Sequence, residues 1–327
     1  MSASRTPKTH DTLQRRRRDR RSPTGKRVTP QQRDLIWFQK IHEHGPLPSS
    51  YLHGFTEHLR RSEKRARDRL TDLFHEDRTP HRGAYLNRPW QQFDTFDARY
   101  QENVYDLTPA AEAALKEHEL WSDHAAAASG TWKHRHMVAC ITASIELASL
   151  KDPDVTYIPQ QSILQRADAV LRYPVPYENP VTKKTETKDL IPDALFGLQY
   201  GQGRLASYRI FVVEADRATE PSRSSKFNRK SHLRTLLQYR AYIGGGLYKD
   251  HLGLTAGMMV LNVTTSEATM ARMIALTEEL SGKGNTYLCF RTSDQFGRYF
   301  KPPRPMEELM TGEWQRAGYP PFRIDRP

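Results

Sequence analysis

The sequence contains little cysteine and no long hydrophobic run. Its two cysteines, Cys140 and Cys289, lie within apolar segments, which is typical of reduced thiols in a protein core. No apolar stretch approaches the roughly 20 residues of a transmembrane helix, and the basic N-terminus lacks the apolar segment of a secretory signal. We therefore expect a cytoplasmic protein without membrane insertion.

Several signatures of nucleotide and metal binding are also missing. Gly282-Lys283-Gly284 lacks the spacing of a phosphate-binding P-loop, and Gly244-Gly245-Gly246 predicts a turn instead of a dinucleotide fingerprint. His134 and His136 have no evident third ligand, so surface or packing roles are favoured over a zinc site. These absences argue against an ATPase and against a nicotinamide enzyme.

Positive charge is in excess and unevenly distributed. The net charge is +12 over 327 residues. Residues 1–27 contain ten Lys or Arg against two Asp, and they have almost no apolar side chains. This composition predicts a disordered basic arm that either contacts phosphates or merely keeps the protein in solution. Four arginines of this arm are predicted DNA contacts: Arg15, Arg16, Arg17 and Arg18.

Residues 28–122 show the order of elements typical of a winged helix-turn-helix. The predicted elements are a helix capped at Thr29-Pro30 and ended by Gly45, helices from Ser49 and Ser62, strands at His81–Leu86 and Asn103–Leu107, a turn at Asn87-Arg88-Pro89, and a helix capped at Thr108-Pro109. Three helices, a hairpin and a closing helix would form a DNA-binding domain.

The third predicted helix has an apolar stripe and a basic remainder. Ala66, Leu70, Leu73 and Phe74 recur at helical spacing and predict the buried side. The basic residues around this stripe are predicted DNA contacts: Arg60, Arg61, Lys64, Arg65, Arg67 and Arg69. An ordinary solvated surface is the alternative, and the net charge of −2 over residues 28–120 favours protein contacts instead.

One stretch in the second half of the chain places carboxylates beside apolar segments. An acid follows a proline at Pro192-Asp193, and the apolar run from Tyr208 to Val213 ends in Glu214-Ala215-Asp216. Between them, Gly201 and Gly203 separate two β-rich segments, which predicts a hairpin.

The acids of this hairpin predict a metal site. Because side chains alternate along a strand, Glu214 and Asp216 point to the same side, and Asp193 joins them if it lies on the neighbouring strand. Such a cluster repels itself unless cations or protons neutralise it, and its oxygen ligands suit Mg²⁺ or Mn²⁺. Asp193, Glu214 and Asp216 are therefore candidate metal ligands and catalytic residues of a phosphodiesterase.

At these residues the chain resembles the PD-(D/E)XK restriction-endonuclease-like superfamily. The string VVEADRATEP, followed by a Lys/Arg-rich segment that ends at Tyr239, more closely resembles the replication-relaxation family of plasmid and mobile-element proteins, related to MOBC-type conjugative relaxases. The resemblance implies an N-terminal winged helix-turn-helix followed by a restriction-endonuclease-like α/β domain with a central mixed sheet. That second domain would span residues 131–327 and include a proline-rich C-terminal tail.

The periodicity of residues 131–327 agrees with such an α/β core. The predicted elements are a helix at Trp132–Leu150, a strand at Asp154–Ile163, a polar loop at Pro174–Lys188, the hairpin, a helix from about Lys226 to Tyr242, a strand at Leu254–Val263, a helix capped by Ser266, and a strand at Thr286–Phe290.

The resemblance also implies further site residues. The superfamily often places a metal-binding or orienting glutamate on the helix before the sheet, which makes Glu146 a candidate; an exposed helix glutamate is the alternative. The superfamily motif has lysine where Asp216 stands. A lysine from the following helix would replace it, with Lys230 as the first candidate and Lys226 as the second.

By this resemblance, the chain is a DNA-binding endonuclease that uses Mg²⁺ or Mn²⁺ to nick DNA during replication or transfer of a plasmid or mobile element. Its partners would be double-stranded DNA and replication or conjugation proteins, and it would be associated with the nucleoid or a plasmid. The alternative is a catalytically inactive nuclease-like DNA-binding accessory or transcriptional regulator. Cleavage of invading DNA in host defence fits the same site.

Overall fold

The computed structural model describes residues 17–59, 62–94, 98, 100–125, 130–179, 182–217, 231–297 and 299–327. Six predicted site residues lie outside these ranges: Arg15, Arg16, Arg60, Arg61, Lys226 and Lys230. The chain divides into two compact units, Met1–Trp121 with Tyr299–Arg304 and Ser122–Arg298 with Pro305–Pro327. No helix within the described ranges is long and apolar enough to cross a membrane.

The described part of the first unit combines α-helices with a small antiparallel sheet. The helices are α1 (Gln32–His44), α2 (Ser49–Phe55), α3 (Glu63–His75) and α4 (Pro109–Glu117). The strands are β1 (Leu47–Pro48), β2 (Leu86–Asn87) and β3 (Val104–Leu107), in the order β1-β3-β2. These elements follow the predicted order, and their identity as a winged helix-turn-helix stays a prediction.

The first helix begins later than the sequence predicts. The cap predicted at Thr29-Pro30 is wrong, because Gln31 is the N-cap residue and its N–H donates to Oδ2 of Asp34 at 2.8 Å. Asp34 is fully buried. Its carboxylate thus satisfies a backbone donor at the start of α1, where a negative charge is also favoured by the helix dipole.

Arg69, a predicted DNA contact, is the ion-pair partner of this buried acid. Its guanidinium donates to Oδ2 of Asp34 at 2.6 Å and to the carbonyl oxygen of Thr29 at 2.7 Å. Only 12% of the Arg69 side chain is exposed. Arg69 lies three residues after Ala66 and four before Leu73, so it shares a side of the helix with two buried residues of the apolar stripe. The prediction that Arg69 faces DNA is therefore wrong.

We expect Arg69→Ala to lower the free energy of unfolding by about 3 kcal/mol, because the carboxylate of Asp34 would remain buried without its cation. Urea denaturation followed by circular dichroism measures this change. Arg65→Ala, at an exposed position of the same helix, is the control and should change the stability by less than about 0.5 kcal/mol. Equal losses in the two variants would contradict a structural role for Arg69.

The prediction of a disordered basic arm is wrong for residues 17–27. The guanidinium of Arg18 donates to Oδ1 of Asn103 at 2.6 Å, and that of Arg21 donates to the carbonyl oxygen of Phe74 at 3.0 Å. Burial lowers the pKa of both arginines below the ordinary value. These two side chains attach the segment to the rest of the first unit. Arg18 therefore does not belong to a disordered arm that reaches out to DNA.

The hairpin of the first unit is shorter than predicted. Of the segment 81–86 only Leu86 belongs to β2, which pairs with β3. The turn predicted at Asn87-Arg88-Pro89 is wrong as well. Arg88 is buried, with its guanidinium 4.1 Å from the ring centroid of Phe74, and it donates to the hydroxyl of Tyr105 at 3.1 Å. In a sequence, an arginine beside a proline is typical of a surface turn. Arg88 is buried because aromatic rings from other elements pack against its guanidinium, and the local sequence does not show these contacts.

The described part of the second unit is built on a mixed sheet. Its helices are α5 (Trp132–Ser149), α6 (Gln160–Ala167), α7 (His232–Tyr239), α8 (Leu247–Leu252), α9 (Glu267–Ser281) and α10 (Glu308–Thr311). Its strands are β4 (Val155–Pro159), β5 (Tyr173–Glu178), β6 (Thr185–Leu190), β7 (Ala194–Tyr200), β8 (Ser207–Asp216), β9 (Gly257–Thr264), β10 (Leu288–Thr292), β11 (Trp314–Arg316) and β12 (Tyr319–Phe322).

The large sheet has the strand order β12-β11-β10-β9-β8-β7-β4, in which β8, β9 and β10 are parallel and the other pairs are antiparallel. Strands β5 and β6 form a separate hairpin. The mixed α/β class agrees with the sequence, and the nuclease-like fold stays a prediction.

Three segments of this unit differ from their predictions. The strand predicted at Asp154–Ile163 ends at Pro159, where α6 begins. The loop predicted at Pro174–Lys188 is the β5–β6 hairpin, in which prolines occupy two positions of β5. The proline-rich tail contains α10, β11 and β12. In β5 and β12 prolines conceal strands, because prolines fit strand positions whose N–H groups need no partner.

Strands β7 and β8 form the predicted hairpin. They pair antiparallel from Ala194 opposite Val213 to Tyr200 opposite Ser207, around a turn in which Gly201 has a positive φ of 71°. Alternate side chains of β8, including those of residues 210 and 212, pack in a core with α7 and α9. The two acids at the end of β8 continue along this side of the sheet.

Candidate functional site

Three buried carboxylates lie at the end of the β7–β8 hairpin away from its turn. Asp193 directly precedes β7, and its N–H donates to the carbonyl oxygen of Val213 at 3.1 Å. Glu214 and Asp216 are the eighth and tenth residues of β8. The exposed fractions of Asp193, Glu214 and Asp216 are 8%, 8% and 9%. The structure therefore places the three acids that the sequence selects at the same end of the hairpin.

Asp193 is held from two directions. Its Oδ2 atom accepts the N–H of Ala215 at 2.8 Å, which joins the start of β7 to the end of β8. Its Oδ1 atom accepts from Nε2 of His134 at 3.0 Å. Because His134 lies in the first turn of α5, this helix positions a donor at the edge of the sheet. Both contacts fix the orientation of the carboxylate.

Glu214 is held by a tyrosine. The hydroxyl of Tyr239, at the end of α7, donates to Oε1 of Glu214 at 2.5 Å. Tyr239 is fully buried, and burial together with the negative charge of Glu214 raises its pKa well above the ordinary value. The phenol therefore keeps its proton at neutral pH and acts as a hydrogen-bond donor.

Asp216 pairs with the first residue of the same helix. Nε2 of His232 donates to Oδ2 of Asp216 at 3.1 Å, and both side chains are buried. A cavity of about 20 Å³ lies beside them, lined in part by Glu214 and Asn262. This volume accommodates roughly one water molecule or a small ion.

Two buried polar atoms flank Asp216 without a hydrogen-bond partner among the described residues. They are Nδ1 of His232 and Oγ1 of Thr264. Thr264 lies on β9 directly opposite Asp216 in the parallel pairing. Since buried polar atoms are normally satisfied, their presence here indicates a place for a water molecule or a bound ligand. Carboxylate and hydroxyl oxygens are among the ligands that hydrated divalent ions accept.

Glu146 does not belong to this site. It lies on α5, twelve residues after His134, and a helix rises about 1.5 Å per residue, so the two positions are roughly 18 Å apart along the axis. His134 contacts Asp193, whereas Glu146 is near the other end of the helix. The predicted metal role of Glu146 is wrong for this cluster, and so is the alternative of an exposed glutamate, because 7% of it is exposed.

Sequence reasoning missed the partners of the carboxylates. The surface or packing role favoured for His134 does not anticipate its contact with Asp193, and no sequence motif includes His232. The only sequence signal is that His232 and Tyr239 are seven residues apart and so lie on one side of a helix. Nothing in the sequence shows that this side meets the end of β8.

The exposed basic residues of the first unit form a second group of candidates. Lys64, Arg65 and Arg67 are exposed on α3, and Arg67 lies 3.4 Å from a carboxylate oxygen of Glu63. Arg17 pairs with Asp19 at 3.1 Å. Lys64 and Arg65 are thus the cations of α3 best placed to contact a polyanion.

Comparison with known protein families gives a match over most of the chain. A family model described as replication-relaxation matches residues 38–257, which include the three carboxylates and their partners on α5 and α7. No curated protein and no solved structure matches the chain.

Proposed function

The chain belongs to the replication-relaxation family, and from this premise we propose that it is a DNA-binding, metal-dependent nickase. Its role would lie in the replication or transfer of a plasmid or mobile element, in association with that DNA in the cytoplasm. The observation that carries the proposal is the burial of Asp193, Glu214 and Asp216 at the same end of the β7–β8 hairpin. Three carboxylates are costly to bury together unless a cation compensates them.

The carboxylates would hold Mg²⁺ or Mn²⁺, with the carbonyl oxygen of Ala215 as a further ligand. A bound divalent ion would polarise the phosphate and lower the pKa of a water molecule. The protein's own contribution is orientation, because His134, Tyr239 and His232 each fix one carboxylate through a hydrogen bond. Such outer contacts hold metal ligands in place and tune their basicity.

Hydrolysis also requires a cation near the phosphate. Asp216 stands where the superfamily has lysine, and its neighbour within the described residues is His232. Lys230 is proposed to supply the ammonium group, with Lys226 as the second candidate. In the proposed reaction a water oxygen bonds to phosphorus, one phosphorus–oxygen bond breaks, and the leaving oxygen takes up a proton. The ammonium would neutralise the charge that develops on the phosphate.

We propose that the exposed first turn of α3, which carries Lys64 and Arg65, binds DNA. We expect Arg65→Ala to weaken binding of a short duplex and to reduce the slope of log affinity against log salt by about one, because one phosphate contact is lost. Fluorescence anisotropy at several salt concentrations measures both quantities. Lys249→Ala, an exposed cation on α8, is the control with an unchanged slope. An unchanged slope in Arg65→Ala would contradict the assignment of α3.

The nickase proposal is tested with supercoiled plasmid. Purified full-length protein is incubated with plasmid from its own replicon and with an unrelated plasmid, in Mg²⁺, Mn²⁺ or EDTA. Open-circular product in the metal samples alone is the expected result. Nicking restricted to its own replicon would favour the replication role, and equal nicking of both plasmids would favour host defence.

A second candidate function is a nuclease-like domain without catalysis, which would act as a DNA-binding accessory or transcriptional regulator. The observation in its favour is that each carboxylate already has a donor from the protein, and two of these donors are histidines that can carry positive charge. Under this alternative, the protein would shift the mobility of DNA but leave the plasmid supercoiled in every metal sample.

A further inference from the structure

Two arginines and two aromatic rings alternate across one side of the second unit. We call Tyr319, Arg316, Phe322 and Arg209 the arginine–aromatic row. The guanidinium of Arg316 lies 5.8 Å from the ring centroid of Tyr319 and 5.5 Å from that of Phe322. The guanidinium of Arg209 lies 4.9 Å from the Phe322 centroid. The row connects β12 and β11 with the start of β8.

Hydrogen bonds to carbonyl groups fix both guanidinium groups. Nε of Arg316 donates to the carbonyl oxygen of Pro320 at 2.8 Å, and Arg209 donates to that of Arg326 at 3.3 Å. These bonds do not neutralise the guanidinium groups, because a carbonyl oxygen carries no full negative charge. Tyr319 is 41% exposed, and Phe322 is partly exposed. The row is therefore both rigid and open to solvent.

A rigid series of π faces and positive charges matches the chemistry of single-stranded nucleic acid. Unpaired bases stack on aromatic rings and on guanidinium planes, while their phosphates are attracted to the arginines. In a duplex these base faces are already covered by neighbouring bases. We infer that the arginine–aromatic row binds a segment of single-stranded DNA by stacking its bases on Tyr319 and Arg316.

The row is separate from the carboxylate site. Arg209 and Glu214 lie on the same strand, five residues apart, which corresponds to roughly 17 Å. Binding at the row needs neither a metal ion nor cleavage, so the inference goes beyond the proposed nickase activity and can be tested in EDTA. The alternative is a structural role, in which these cation–π contacts only hold the β11–β12 hairpin against β8 and bind no ligand.

The experiment measures the affinity of the full-length protein for a labelled oligothymidine of about 12 nucleotides in EDTA and at low salt. We expect Tyr319→Ala to bind about tenfold more weakly. Arg316→Lys keeps the charge but loses the planar group, and it should also weaken binding. Tyr208→Ala removes an exposed tyrosine from the opposite side of β8 and should bind like the parent protein.

A duplex of the same length separates stacking from general attraction. Its affinity should be the same in Tyr319→Ala and in the parent protein. Three results would overturn the inference: no binding of oligothymidine to the parent protein, parental affinity in both Tyr319→Ala and Arg316→Lys, or equal losses for oligothymidine and duplex. Thermal unfolding of each variant identifies a folding defect, and Arg316→Lys decides the question if Tyr319→Ala fails to fold.

Discussion

Glu214→Gln is expected to reduce metal-dependent plasmid nicking at least about a thousandfold, because metal assistance to phosphate cleavage contributes several kcal/mol to transition-state stabilisation. Glutamine is preferred to alanine because its side-chain oxygen can still accept from the hydroxyl of Tyr239, which lies 2.5 Å from Oε1 in the parent protein. The substitution thus removes the negative charge while it preserves the shape of the site. The rate at which open-circular product appears in Mn²⁺ measures the effect.

Glu278→Gln is the matched control for this experiment. Glu278 is an exposed residue of α9 in the same unit, so the same chemical change there should leave the nicking rate unaltered. If Glu214→Gln nicks plasmid as fast as Glu278→Gln does, the carboxylate of Glu214 is not required and the proposed site is wrong.

Tyr239→Phe is expected to weaken Mn²⁺ binding by about 10- to 100-fold, the usual cost of removing a hydrogen-bond partner from a metal ligand. The substitution removes one oxygen atom and leaves the buried ring in place. Glu214 then loses the donor that fixes its Oε1 atom. Calorimetric titration of Mn²⁺ into the full-length protein measures the affinity.

Tyr242→Phe provides a control from the adjoining turn. Tyr242 is also buried, but its hydroxyl contacts Nδ1 of His251 at 2.7 Å instead of a carboxylate. Removing this hydroxyl should leave Mn²⁺ affinity within about twofold of the parent value, since the metal ligands keep their partners. Equal losses in Tyr239→Phe and Tyr242→Phe would indicate a general loosening of α7 and would contradict a specific role for Tyr239.

The sequence predicts the β7–β8 hairpin well because its signals are local. The glycines at 201 and 203 supply the turn, and the apolar run up to Val213 gives β8 its buried length. The alternation of strand side chains then places Glu214 and Asp216 on one side. These features need no knowledge of the rest of the chain, which is why the three carboxylates could be selected in advance.

The partners of these carboxylates depend on packing between distant segments. His134 precedes Asp193 by 59 residues, and only the path of α5 along the sheet brings them together. Analogy with the superfamily favours Glu146 of α5 as a metal ligand. In the structure, the residue of α5 that contacts a carboxylate of the hairpin is His134. Helical periodicity similarly cannot reveal that Arg69 bonds to Asp34, since Asp34 belongs to another helix.

Manganese binding tests most directly whether the carboxylates at the end of the β7–β8 hairpin hold a divalent ion. Mn²⁺ is titrated into the full-length protein, and the free ion is followed by electron paramagnetic resonance. We expect saturable binding to the parent protein and its loss in Asp193→Asn, whose amide cannot replace the charge. If the parent protein leaves the Mn²⁺ signal unchanged, or if Asp193→Asn binds the ion equally well, the three carboxylates do not form a metal site.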